Sequence, residues 1–432
     1  SQANAQYTSR RLFTTATDST TYETFDVKTA DGQMIALSEY FEKKGFTSTE
    51  RHRFILLDET ANKFIFNLEG LITRLSFQKS GTEPVTWNAT VEFQIGDVVD
   101  SGVSSLCIYT LMLLHGTEFK DPEYRKKFGY QGKFRIVPLN YGEYENEKVF
   151  DYEEVAIKTN TISFKEYLDL RGVALFVETL VNGRPFDELF RYAKEFGVNK
   201  ISVIQSLQKN IQEAPAKVKK LHQDFISETK GELWDSEEEL LNHYREEENY
   251  LKLKQGLVGG NLIYKYKSAS LLTASVEWVK FLEKEIFELI HNQINFHIET
   301  NELKNQLSNL SRFCENKLDG IFDLKIGQKQ ITSEFDYDII NWIDNPGGCS
   351  LSECKLDSPI GYTFGFSDDQ VNIRIDQLKR YGSDVNALSK MVTRISNLES
   401  QFRKVKIDSS TARDIYSIKS GGERFTKYTL AN

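Results

Sequence analysis

The longest continuous pattern in this sequence is helical, and it requires a fold with a large all-helical region. From Phe164 to about Phe296, apolar residues recur at the 3.6-residue spacing of amphipathic helices. The glycine-rich stretch GLVGGN at 256–261 interrupts this pattern and separates two helical segments. Asp235 or Ser236 is expected to cap the helix that continues through LLNHYREEENYLKL.

Before the helical region, strand and helix signals alternate. Arg53 to Leu57 is a short apolar run of the kind found in buried parallel strands, and Ser105 to Leu114 is a longer one. Helical spacing follows the first run, from Lys63 to Phe77. This alternation predicts βαβ units. Further elements expected here are a helix at 34–44, a strand at 85–91, a helix at 122–128, and strands at 134–137 and 155–159.

After the helical region, the last 130 or so residues predict a small α+β module. Its expected strands are at 321–326 and 362–366, and its expected helices are at 337–343, 369–381 and 385–397. The sequence therefore predicts three domains: 1–160 is α/β, 161–300 is helical, and 301–432 is the α+β module.

Composition and charge exclude several classes of protein. The 54 Lys and Arg residues against 63 Asp and Glu residues give a net charge of −9, which argues against a protein whose main task is to coat nucleic acid or an anionic membrane. No stretch approaches the roughly 20 apolar residues needed to span a bilayer. Four cysteines are too few for a disulfide framework. We expect a cytoplasmic protein that acts on a small molecule or peptide, without nucleic-acid or membrane partners.

Familiar catalytic motifs are missing from the sequence. It contains no G-x-x-x-x-G-K-[ST], G-x-G-x-x-G, H-E-x-x-H or G-x-S-x-G. Cys349 and Cys354 have a spacing that suits metal ligation, but a structural site needs about four ligands, so ordinary loop thiols are favoured. Asp58 and Glu59 directly follow an apolar strand, where α/β proteins build their sites, and they are therefore site candidates.

The segment SLCIYTLMLLHGTE (105–118) is informative in its individual residues as well as in its apolar periodicity. It resembles the late barrel strand of radical SAM proteins, which runs into a turn that typically reads Pro-Gly-Thr-Glu. Similarity to the downstream part of the cobalamin-binding-domain-containing members continues through the rest of the chain. The segments that carry it are DPEYRKKFGY (121–130), FRIVPLNYGEY (134–144), EEVAIKTNTISFKEYLDLRG (153–172), GGNLIYKYKSASLL (259–272), FDYDIINWI (335–343) and RYGSDVNALSKMVTRI (380–395).

This resemblance implies a partial (β/α) barrel of the radical SAM type, a variant of the TIM barrel, followed by the helical domain and the α+β module. It implies S-adenosylmethionine, a four-iron four-sulfur cluster and cobalamin as cofactors, and radical or methyl-transfer chemistry on an unknown substrate. The residues expected to line the cofactor cleft are strand-end and turn positions. They are Asp58, Glu59, Trp87, Tyr109, Leu111, Leu113, His115, Gly116 and Thr117.

The chain departs from the family at the cluster motif. Three thiolates in C-x-x-x-C-x-x-C hold the cluster in the family, and this sequence has no such triplet. His115 also replaces the usual proline of the turn. Two explanations compete. In the first, the chain is part of a longer enzyme whose cluster and cobalamin segments lie elsewhere, and the short spacing between the barrel elements favours this explanation. In the second, the chain is a degenerate, non-catalytic relative that acts as a binding or scaffold protein.

For a scaffold, the helical region would present the partner surface. Aromatic residues in that region are candidates for such a surface, although core packing is the favoured role for them. They are Tyr244, Tyr250, Tyr264, Tyr266, Trp278 and Phe281.

Overall fold

A computed structural model describes most of the chain from residue 106 onward and the strands that precede it. The described residues are 10–15, 22–25, 51–58, 63–79, 87–93, 99–100, 106–293, 298–321, 329–382, 391–392 and 398–408. The chain divides into two compact units, Ser1–Leu106 and Cys107–Asn432. For the strands of the first unit, the backbone alone is described.

The described strands of the first unit are β1 (Arg10–Thr15), β2 (Tyr22–Phe25), β3 (Arg51–Asp58), β4 (Lys63–Lys79) and β5 (Trp87–Phe93). They form one antiparallel sheet in the order β2-β1-β3-β4-β5. The strands expected near 53–57 and 85–91 are therefore present, but β3 pairs antiparallel with both neighbours instead of joining a parallel sheet.

The helix predicted from Lys63 to Phe77 is wrong, because these residues lie in strand β4. The sequence KFIFNLEGLITRLSFQK begins with Phe64, Phe66 and Leu68 at alternating positions, which fits a strand, and pairing with β3 and β5 stabilises it. A radical SAM barrel needs parallel strands joined by helices. No such connection is described between β1 and β5, so the barrel stays a prediction.

The second unit begins with a helix and a β-hairpin. Helix α1 (Pro122–Phe128) has the predicted bounds, and the predicted strand pair is β6 (Gln131–Tyr144) and β7 (Glu147–Lys158), paired antiparallel. The turn residues Glu145 and Asn146 have φ of 51° and 67°. Two consecutive left-handed residues fit the right-handed twist of a hairpin.

The predicted helical region is confirmed over its described residues, 164–293. Its helices are α2 (Phe164–Phe176), α3 (Asp187–Glu195), α4 (Lys200–Lys209), α5 (Ala216–Gly231), α6 (Glu237–Arg245), α7 (Glu247–Lys254), α8 (Leu262–Thr273) and α9 (Ser275–His291). Ser236 is the N-cap of α6 and accepts a hydrogen bond from the Glu239 amide at 3.2 Å, so of the two predicted caps it is Ser236 that acts.

Packing joins the hairpin to the helices. Ile136 and Phe150 of the hairpin share a buried apolar cluster with Tyr244, Tyr250 and Leu253 of α6 and α7. Val155 and Ile157 share another cluster with Tyr167 and Leu168 of α2 and with Leu233. Of the six aromatic residues considered for a partner surface, five are buried, which confirms their role in the core. These five are Tyr244, Tyr250, Tyr266, Trp278 and Phe281.

Helix α10 (Thr300–Leu318) leads into the C-terminal module. The described elements of the module are β8 (Ile331–Tyr337), α11 (Ile339–Asp344), β9 (Lys355–Gly365), α12 (Asp368–Tyr381) and β10 (Lys404–Ile407). The three strands form an antiparallel sheet in the order β10-β9-β8, and its residues Phe335, Tyr362 and Phe364 pack against Phe313 of α10. The predicted helix at 34–44 lies outside the described residues, as do most of 321–326 and 385–397.

Candidate ligand-binding cleft

A cleft of about 270 Å³ lies in the second unit, close to the lower end of the roughly 300–1,000 Å³ typical of ligand pockets. Five parts of the chain line it: the extended segment from Cys107 to Met112, the hairpin, helix α2 with the turn after it, the end of α5, and the start of α8. The lining residues are Cys107, Ile108, Tyr109, Thr110, Met112, Arg135, Ile136, Pro138, Glu153, Arg171, Glu178, Glu232, Gly260, Asn261, Leu262, Ile263 and Tyr264.

Backbone hydrogen bonds to β7 hold the extended segment at the cleft. Leu113 donates to the carbonyl of Glu154 at 2.8 Å, and Ala156 donates to the carbonyl of Leu111 at 2.9 Å. Met112 and Val155 form an isolated bridge. The described part of this run, 106–114, is therefore extended, as predicted, but only Leu113 is buried among its large apolar residues. Tyr109 is 82% exposed.

The turn after the segment is held by a side-chain hydrogen bond and contains a glycine in the left-handed conformation. Thr117 Oγ1 donates to the carbonyl of Leu114 at 2.6 Å, and Gly116 has φ of +78°. Two cations beyond the turn, Lys120 and Arg125, pair with the buried Glu154 on β7, and Arg125 Nη2 lies 2.7 Å from Glu154 Oε1. Burial alone would raise the pKa of Glu154, but the hydrogen bonds from these two cations outweigh it and lower the pKa.

Arg135 of β6 donates hydrogen bonds to three side chains. Nε donates to Glu153 at 2.6 Å, Nη1 donates to Glu232 at 3.0 Å, and Nη2 donates to Thr110 at 3.0 Å. Burial would lower the pKa of Arg135, but the two carboxylates raise it. Burial raises the pKa of Glu232, and Arg135 and Arg171 oppose that change. This arrangement joins the segment, the hairpin and the end of α5.

Arg171 of α2 lines the same cleft but is not paired. Its side chain is buried, with the residue 8% exposed. Among the described residues, Nε has no hydrogen-bond acceptor and the guanidinium forms no ion pair. The guanidinium lies over the ring of Phe225, 5.6 Å from its centroid, and burial lowers its pKa. One turn earlier, the buried hydroxyl of Tyr167 also lacks a partner within the described chain.

The chain winds into a π-helical turn directly after α2, at Val177–Val181. Asn182 donates its amide to the carbonyl of Val177 at 3.0 Å, the five-residue spacing of that helix type. This turn carries Glu178 into the cleft wall. Glu178 is held there by Lys267 Nζ and by Asn182 Nδ2, each at 2.6 Å. Such turns are frequent at functional sites.

The start of α8 forms the remaining wall. Asn261 caps the helix by accepting a hydrogen bond from the Tyr264 amide at 3.3 Å. Burial raises the pKa of Tyr264, and Glu178 adds to this effect. The pKa of the exposed Tyr109 is raised chiefly by the neighbouring Cys107 thiol. The cleft therefore combines buried charged groups, such as Arg171 and Glu178, with the exposed hydroxyl of Tyr109 and thiol of Cys107.

Of the nine residues predicted to bind a cofactor, Tyr109 lines the cleft. Leu111 and Leu113 belong to the same segment but do not line it, and the turn residues His115, Gly116 and Thr117 are exposed beyond it. Asp58 and Trp87 belong to the first unit, where they pair with Lys63 and Lys79 at opposite ends of β4. Antiparallel pairing thus separates these two positions. Glu59 lies outside the described residues.

The charged residues of the cleft were not predicted from the sequence. Arg135, Glu153, Glu178 and Glu232 come from different elements, and their local patterns are those of ordinary surface charges. Arg171 does carry a signal, because it interrupts the apolar face that Leu168 and Leu175 form on α2.

The cysteines do not fit a four-iron cluster, which needs three thiolates that can meet. Cys107 is exposed, Cys314 is buried beside Glu188, and Cys349 and Cys354 form a separate pair whose sulfur atoms are 3.2 Å apart. The described residues also contain no group of three or more His, Cys, Asp or Glu side chains that could hold a metal ion. No described helix is long and apolar enough to cross a bilayer.

No protein-family model matches the chain, and no curated protein matches it either.

Proposed function

We propose that this chain is the substrate-binding, downstream part of a radical SAM protein of the cobalamin-associated type. The observation that supports the proposal is the position of residues 107–112. These residues belong to the segment with the most specific resemblance to the family, and they form a wall of the cleft. The hairpin and α2, which continue the resemblance, supply the charged groups of the same cleft.

In this proposal the cleft binds a small polar molecule or the end of a peptide in the cytoplasm. Arg135, held by Glu153, Glu232 and Thr110, keeps the segment and the hairpin in a fixed geometry. Arg171 and Glu178 offer opposite charges to the ligand, while Ile108 and Met112 offer apolar contact. A few polar groups in a partly apolar cleft are typical of small-molecule sites.

The four-iron cluster has to be held by residues outside this chain, because its cysteines do not fit the cluster. Held there, such a cluster would supply the electron for the reductive cleavage of S-adenosylmethionine. We assign no reaction step to residues of this chain. Their proposed part is to bind and orient the substrate.

The first test is the intact mass of the natural protein, isolated without oxygen, together with its iron content and S-adenosylmethionine binding by equilibrium dialysis. We expect a mass above that of the 432 residues, about four iron atoms per chain for one four-iron cluster, and bound S-adenosylmethionine. A mass equal to that of these residues, with neither iron nor S-adenosylmethionine bound, would contradict the proposal.

A second candidate is a degenerate relative that binds a ligand or partner without catalysis. The missing C-x-x-x-C-x-x-C triplet favours it. The same measurements separate the two candidates, because a non-catalytic relative retains ligand binding in the cleft while it lacks iron and S-adenosylmethionine.

A further inference from the structure

Arg171 is an unusual group to bury, because a guanidinium carries five N–H donors and a permanent charge. The residue is 8% exposed, and Nε has no acceptor among the described residues. The carboxylates of Glu153 and Glu232 do not form ion pairs with Arg171, since both pair with Arg135 instead. A buried donor without an acceptor is costly, so the site lacks an oxygen that a bound molecule can supply.

The start of α8 supports an anionic ligand independently. Gly260, Asn261 and the first helical residues, Leu262 to Tyr264, line the cleft that Arg171 also lines. The helix has 12 residues, and its N-terminus carries free amide groups and the positive end of the helix dipole. Two different features of the cleft therefore favour a negative group in it.

We infer that Arg171 binds a carboxylate of the ligand, with the start of α8 facing the same cleft. The planar fork of a guanidinium matches the two oxygens of a carboxylate. A phosphate has a similar fit but carries more charge, and three carboxylates already line the cleft, from Glu153, Glu178 and Glu232. Repulsion therefore favours a singly charged carboxylate. This inference rests on the proposal that the cleft is the ligand site.

The test uses acetate as the probe, with inorganic phosphate and chloride at matched ionic strength. The melting temperature of the full chain is measured at increasing acetate concentration for wild type, Arg171→Met and Arg171→Lys. The control is Arg245→Met, which removes an exposed arginine at the end of α6. In parallel, the NMR signal of the Arg171 Nε–H group, assigned by its loss in Arg171→Met, is followed in wild type.

We expect acetate to raise the melting temperature of wild type and of Arg245→Met equally, and to shift the Arg171 signal. The specific rise should vanish in Arg171→Met. In Arg171→Lys the half-saturating concentration should increase about tenfold, because one of two charge-assisted hydrogen bonds is lost. An equal response of Arg171→Met and wild type would overturn the inference, as would no response of wild type. A stronger response to phosphate than to acetate would overturn the choice of carboxylate.

Failure of the inference is distinct from failure of the proposed function. An acetate response that depends on Arg171, in a protein without iron or S-adenosylmethionine, supports the carboxylate site and rejects the radical SAM assignment. The opposite result is a protein that contains iron and binds S-adenosylmethionine but whose acetate response does not depend on Arg171. That result supports the radical SAM assignment and rejects the carboxylate site.

Discussion

Replacing Lys267 by methionine is expected to destabilise the second unit strongly, because it leaves the Glu178 carboxylate buried without its cation. The side chains of Lys267 and Glu178 are 8% and 11% exposed, and Nζ lies 2.6 Å from Oε1. Removing one partner of a buried ion pair costs about 3–5 kcal/mol. Asn182 still donates to the other oxygen of Glu178, so we expect a loss of about 3 kcal/mol, near the lower end of that range.

Urea unfolding at neutral pH, followed by circular dichroism, measures this loss. For a urea dependence of about 3 kcal/mol/M, the midpoint should fall by about 1 M. The matched control is Lys252→Met. Lys252 pairs with Glu248 at a similar distance, 2.7 Å, but the two side chains are 42% and 82% exposed. Water already screens that pair, so its loss should change the midpoint little.

A further variant separates the charge from the packing. If Glu178→Leu is combined with Lys267→Met, no uncompensated charge remains, and the double variant should be more stable than Lys267→Met alone. The reasoning is refuted if Lys267→Met unfolds at the same midpoint as wild type. It is also refuted if the double variant loses the full sum of the two single losses.

Three other results are expected. The cationic partners of Glu154 lower its pKa in the folded protein. Wild type should therefore be more stable than Glu154→Gln by a full, constant amount above the unfolded pKa of about 4.3, and this advantage should be lost as the pH falls through the folded pKa. Unfolding free energies of both proteins measured across that pH range test this, and a difference that does not change with pH would contradict it. Gly116→Ala should lower the free energy of unfolding by about 1 kcal/mol, because the φ of +78° is unfavourable for a residue with a side chain. A Cβ at this position meets no atom within 4 Å, so the cost comes from the backbone conformation and not from a clash. An unchanged urea midpoint would contradict this. Glutathione disulfide should oxidise Cys349 and Cys354 to a disulfide, with two glutathione molecules released, because the sulfur atoms are 3.2 Å apart. In a Cys107→Ser variant, which lacks the exposed thiol that also reacts with glutathione disulfide, titratable thiols in the unfolded protein should fall from three to one, and a count of three after treatment would contradict this.

The helical region and the hairpin could be predicted from the sequence because their signals are local. The spacing of apolar residues marks a helix within a few turns, and the strands at 134–137 and 155–159 flank a polar turn. Strand β4 could not be recognised in the same way. LEGLITRLSF contains apolar residues at both helical and alternating spacings, and pairing with β3 and β5 decides between them.

The sequence pointed to one part of the cleft wall, the segment around Tyr109, and its role as a cofactor site stays a prediction. The segment around Tyr109 was found because its residues resemble a family, whereas its partners across the cleft are distant in sequence. Arg135 and Glu232 are 97 positions apart, and only the packing of α5 beside the hairpin brings them within 3.0 Å. No local pattern encodes such a contact. Similarly, the separation of Asp58 from Trp87 results from the direction of strand pairing, which an apolar run does not specify.

The π-helical turn at Val177–Val181 also makes the cleft sensitive to chain length. A turn closed by hydrogen bonds over five residues holds one residue more than an α-helical turn in the same space. Deleting Val177 therefore restores a regular α-helix without turning the residues that follow, and it moves Glu178 back by one helical position, about 100° around the helix axis. Glu178 then leaves the cleft wall while every other lining residue remains in the sequence. A relative that lacks the one residue before Glu178 should thus bind a different ligand.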